Sequence, residues 1–125
     1  MPRPRTALLL VLAALLAGCT SLPPSRPVDD AKSIAGTWRG RMSGPLGNAP
    51  LILTILDDGS YQGLLYVEPK YKEVRGAISV IRPSQTRYEG TDGNGRVTLY
   101  EGGGTRVLRF VRDDGGGGAE LTPAK

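Results

Sequence analysis

The side chains able to do chemistry in this chain are few, and their spacing argues against catalysis. There is no histidine, which excludes Ser-His-Asp and Cys-His nucleophiles, His-ligated zinc and an imidazole base. Cys19 is the only cysteine, so no disulfide framework forms within the chain. Asp57-Asp58 and Asp113-Asp114 are adjacent carboxylate pairs. Neighbouring residues on a strand or turn diverge, so neither pair makes a general acid/base dyad. Asp92-Gly93-Asn94-Gly95 begins like a calcium loop but lacks the later ligands and the bidentate Glu. The glycine runs 102–104 and 115–118 are not phosphate loops, because no helix N-terminus follows them. All of these read as hairpin turns, and the pattern points to a non-catalytic protein with no cofactor and no metal.

Binding remains. Trp38, Tyr61 and Tyr88 are either core or plug residues or, if exposed together, a binding hot spot. Arg39, Arg41, Arg75, Arg87, Arg96 and Arg109 fall on alternate positions of β-like runs. They read as an outer surface that discourages edge pairing, or as a band able to meet an anionic polymer.

The elements that must position these residues begin after a distinct N-terminus. Arg3 and Arg5 precede an apolar run from Thr6 to Leu16. Eleven helical residues span about 16 Å, roughly half a bilayer core, which suits a signal-peptide core rather than an anchor helix. Leu16-Ala17-Gly18-Cys19 resembles the lipobox of bacterial lipoproteins. The resemblance implies cleavage before Cys19, a diacylglycerol thioether on its sulfur and acylation of the new amino group. Thr20, in place of Asp, implies delivery to the outer membrane, with the domain facing the periplasm or the cell surface. Loss of Arg3 and Arg5 takes the 16 basic residues to 14 against 12 acidic ones, a net charge of about +2. An exported chain without a basic patch is no nucleic-acid binder.

Residues 19–33 then read as a lipidated cysteine and a Pro-rich tether. Pro23, Pro24 and Pro27 favour a semi-rigid spacer of roughly 40 Å. From Ile34 to the C-terminus no helical period appears. Eight short runs rich in Val, Ile, Leu, Thr and Tyr occupy 34–43, 50–57, 60–67, 73–82, 86–91, 95–101, 105–112 and 117–122. Each strand with its turn takes about 11 residues, the spacing of an all-β sandwich or barrel. Short sequential hairpins favour an up-and-down antiparallel barrel. Alternation turns Gly36, Trp38, Gly40 and Met42 inward, as it does Val74, Gly76, Ile78 and Val80. Facing Leu108 and Phe110 inward also turns Arg106 and Arg112 inward, at the two ends of the barrel. A membrane-spanning barrel would place outward Arg in lipid at a cost of about 2–4 kcal/mol each, so lipid contact is assigned to Cys19 alone.

Gly36-Thr37-Trp38 resembles the G-x-W signature of lipocalins and avidin-like barrels, whose Trp plugs one barrel end. With Ala35 it is also similar to the opening of bacterial periplasmic protease-inhibitor barrels. These resemblances imply a small eight-stranded barrel over 34–125. A domain this short is expected to leave little room for a cavity. The leading expectation is therefore a lipid-anchored envelope lipoprotein that acts as an interaction or structural module. Its partner would be an envelope protein or an anionic polymer. A lipocalin-like barrel binding an apolar ligand and a protease inhibitor are the alternatives. A cavity of several hundred Å³ would favour the ligand.

Overall fold

A computed structural model of the chain describes residues 22–44, 47–91 and 93–124. Cys19 and the apolar run ahead of it lie outside the described residues. The two-residue strand β1 (Ser25–Arg26) is followed by a one-turn 3-10 helix at Ala31–Ile34. Eight longer strands come next: β2 (Gly36–Gly44), β3 (Gly47–Ile55), β4 (Ser60–Val67), β5 (Lys70–Arg82), β6 (Gln85–Gly90), β7 (Gly93–Gly102), β8 (Thr105–Arg112) and β9 (Gly118–Pro123). Each of β2 to β9 pairs antiparallel with its sequence neighbour, and β9 pairs back onto β2 with Gly40 opposite Leu121. The sheet therefore closes into the eight-stranded up-and-down barrel that the alternation predicts. Closure leaves no free edge along most of each strand.

Local chemistry explains the strands. In β3, Leu51, Leu53 and Ile55 are buried while Ile52 is exposed, the period-2 pattern of a sheet with one core face. In β2, Trp38 is buried while Thr37, Arg39 and Arg41 are exposed. Gly103 and Gly104 take φ of +59° and +80° between β7 and β8. Two successive positive φ values make the twist-matched hairpin turn that glycine permits without strain. Asp58 accepts from the Ser60 N–H at 2.9 Å and from its hydroxyl at 2.6 Å, closing the β3–β4 turn.

The spacer expected over 19–33 is corrected from Leu22 onward. Glu101 N–H donates to the Pro24 carbonyl at 3.0 Å, and Val28 N–H donates to the Pro83 carbonyl at 2.8 Å. Ser25 and Arg26 pair with Tyr100 and Leu99 of β7. There they continue the edge that β6 leaves after pairing Thr86 with Val97. Val28 and Ile34 are buried in the core. Proline removes a donor only at its own position, so Pro24 still accepts and its neighbours still pair. The segment is a strap across one end of the barrel. Asp30 caps its helical turn by accepting from the Ser33 N–H at 3.2 Å.

Candidate functional site

The two ends of the barrel differ. At the strap end, the β3–β4, β5–β6 and β7–β8 turns meet residues 22–35. Ala31 Cβ lies beside Gly59, Val28 is bonded to Pro83, and Pro23 and Pro24 lie against Gly102. Trp38 fills the interior just inside this end. It is 1% exposed, and its indole N–H donates to the Ile34 carbonyl at 3.0 Å. Arg106, on the same inward face, donates to the Ser33 carbonyl at 2.8 Å and to Glu101 at 2.7 Å.

The other end opens into a cavity of about 760 Å³, within the usual 300–1,000 Å³ range of small-molecule sites. The walls are Leu51, Leu53, Leu65 and Val74, with Met42 and Ala49 toward the mouth. Tyr61, Tyr88 and Phe110 also line it. They form one aromatic cluster, in which Phe110 meets Tyr88 edge-on at 5.1 Å and Tyr61 edge-on at 6.1 Å between centroids. Tyr61 can lie along the wall because its strand neighbours are glycines. A Cβ at Gly76 or Gly90 would run into its hydroxyl. The inward glycines of β5 and β6 are thus the space that the Tyr61 ring occupies.

Polar groups sit at the rim. Lys72, Glu68 and Arg112 line the mouth with Asn48 and Ser43. Arg112 donates to Asp114 at 2.8 Å through one terminal nitrogen. The Gly116 N–H, then the Arg112 guanidinium, hold the Asp114 carboxyl below its ordinary value, against an opposing desolvation effect. The Arg112 Nε is buried and has no hydrogen-bond partner among the described residues. The β4–β5 hairpin overhangs this mouth. Tyr66 and Tyr71 pair across it with ring centroids 5.0 Å apart, and Val67 and Tyr71 are exposed.

The structure separates the three aromatic candidates. Trp38 is the plug of the strap end and does not line the cavity, whereas Tyr61 and Tyr88 do. The expectation of little room for a cavity is overturned. The small residues Gly44, Gly47, Ala49, Gly118 and Ala119 gather at one end of the barrel, and that clustering is the signal a reading of strand count alone passes over. Sequence reasoning missed Phe110 as a lining residue and placed Arg112 at a barrel end without a role. The six outward arginines do not form one uncompensated band. Arg75 is paired with Glu73, Arg87 with Asp113 and Arg109 with Glu120. Among the described residues, no group of three or more His, Cys, Asp or Glu is placed to hold a metal ion.

Fold and site together define a closed, up-and-down, eight-stranded barrel with one plugged end and one open, largely apolar cavity. The architecture agrees with the barrel that the G-x-W resemblance implies. Comparison with protein-family models, with curated proteins and with solved structures gives no match.

Proposed function

We propose that this protein is a small lipocalin-like barrel that binds an apolar ligand at its open end. The observation that carries the reading is the cavity of about 760 Å³ walled by Leu51, Leu53, Leu65, Val74, Tyr61 and Phe110. In a chain with few aromatics, three of them converge on this one space. A solely structural module would gain stability by filling it, since packed cores leave few voids larger than a water molecule. The interaction-module reading, which the sequence alone favours, has less support: three of its six outward arginines are already paired. The lipobox supports placing the barrel at the outer membrane, held by lipid on Cys19, with the cavity serving ligand carriage or sensing in the envelope.

Titration with Nile red, a neutral apolar dye that brightens in a dry site, tests the reading. The wild-type protein should bind it saturably. Ala49→Phe should abolish binding while leaving the far-ultraviolet circular dichroism unchanged, because Ala49 lines the mouth and its enlargement fills the space. No binding by the wild type, or equal binding by the variant, would remove the cavity as the functional site.

A further inference from the structure

The cavity is apolar along its depth and charged at its rim, and one rim group is incomplete. Arg112 projects from the inward face of β8 at its last residue. Its guanidinium lies between two positions without side chains. A Cβ at Gly93 would come within 3.2 Å of Nε, and one at Gly116 within 3.4 Å of Cζ. Either side chain would crowd the group. One terminal nitrogen is taken by Asp114. The Nε is sealed from water, whereas the second terminal nitrogen is neither sealed nor hydrogen-bonded among the described residues. An open guanidinium donor at the mouth of an apolar cavity can make a charge-assisted hydrogen bond to an anionic oxygen of a ligand. Lys72 adds a second cation to the same rim, and Glu68 an anion.

We infer that the cavity takes a single-chain amphiphile with an anionic oxygen headgroup. The chain lies along the apolar walls, and a headgroup oxygen accepts from the open terminal nitrogen of Arg112 at the mouth. This rests on the reading of the cavity as the functional site and names the ligand class. A guanidinium stays charged and holds its donors in a fixed plane, which an ammonium does not reproduce. The chemistry common to both sources is one aliphatic chain ending in an anionic oxygen.

Calorimetric titration of the full-length protein with laurate, dodecyl phosphate and dodecanol tests this. All three share the chain, and only the first two carry the charge. The wild type should bind at least one anion about tenfold or more tighter than dodecanol, as expected for a charge-assisted hydrogen bond. Preference for laurate or for dodecyl phosphate identifies the headgroup source. Arg112→Met should bring the preferred anion down to the affinity that the same variant has for dodecanol, with Arg112→Lys intermediate. Equal wild-type affinity for the three ligands overturns the headgroup assignment while the apolar cavity stands. An anion preference that survives in a folded Arg112→Met overturns it as well. Failure of all three to bind removes the cavity reading together with it. The wild-type comparison decides the matter even where a variant fails to fold.

Discussion

The Arg106 guanidinium lies over the indole of Trp38, its carbon 5.2 Å from the ring centre. The pair joins β8 to β2 across the plugged end of the barrel. An inward-facing arginine is thereby given a ring face, the Ser33 carbonyl and the Glu101 carboxylate, all within one end of a small core.

Trp38→Ala should therefore destabilise the protein by about 3–5 kcal/mol, the usual cost of emptying a buried Trp site. Arg39→Ala, one residue along on the solvent face, should change stability by less than about 0.5 kcal/mol. Urea melts of the two variants compare them directly. A Trp38→Ala protein that melts with the wild type would contradict the plug.

Much of this barrel is legible in the sequence, and the reason is local. Each of the eight runs, from 34–43 to 117–122, overlaps one strand, from Gly36–Gly44 to Gly118–Pro123. Period-2 alternation and glycine punctuation are properties of short windows. The inward parity of Trp38, Gly76, Ile78, Leu108 and Phe110 is legible for the same reason. The strap is not, because three prolines in a short stretch look like a spacer. The partners of residues 22–33 are distant in sequence: the carbonyl of Pro83, the edge of β7 and the guanidinium of Arg106. The cavity is not legible either. It depends on side-chain volumes summed across neighbouring strands, and no single window holds Ala49, Gly118 and Tyr61 together.

Val28 is buried with its N–H bonded to Pro83, so Val28→Ala should cost about 1.5–3 kcal/mol from lost burial and the void left behind. A free spacer would make the substitution silent. Thermal unfolding measures the loss, and slow hydrogen exchange at the Val28 amide would show the strap directly.

Gly90→Ala should destabilise by about 1–3 kcal/mol through overpacking. The added methyl meets the Tyr61 hydroxyl and approaches the Arg75 carbonyl within 2.6 Å. Combining it with Tyr61→Leu should recover part of the loss, because residues in contact couple. A double-mutant cycle by chemical denaturation reads the coupling, and strict additivity would contradict the packing of Tyr61 over Gly90.

The Ser60 hydroxyl, followed by its backbone N–H, holds the Asp58 carboxyl below its ordinary value of 3.8. A depressed folded pKa contributes stability above the unfolded value, and that contribution fades as pH falls through the folded one. Melting temperature should therefore drop below about pH 4. Asp58→Asn should show a shallower fall over that window than the wild type. Parallel acid curves for the two proteins would remove Asp58 from the effect.

Cys19→Ala should leave an unprocessed precursor without lipid, if the lipobox is read by the export machinery as its residues imply. Metabolic labelling with a palmitate analogue gives the answer. Label retained by the Ala variant would refute Cys19 as the acylation site.

The strap also gives the barrel a direction. Residues 22–28 enter at the plugged end, by Gly102, Glu101 and Pro83, and the cavity opens beside the β4–β5 and β8–β9 turns opposite. Tilted strands, most of them eight to ten residues long, separate the two by about 20 Å. Whatever holds the chain by residues ahead of Leu22 therefore holds it from behind, as a cup is held by its base. Under the proposed anchoring through Cys19, a ligand of the proposed site would enter at the end of the barrel that faces away from the anchor.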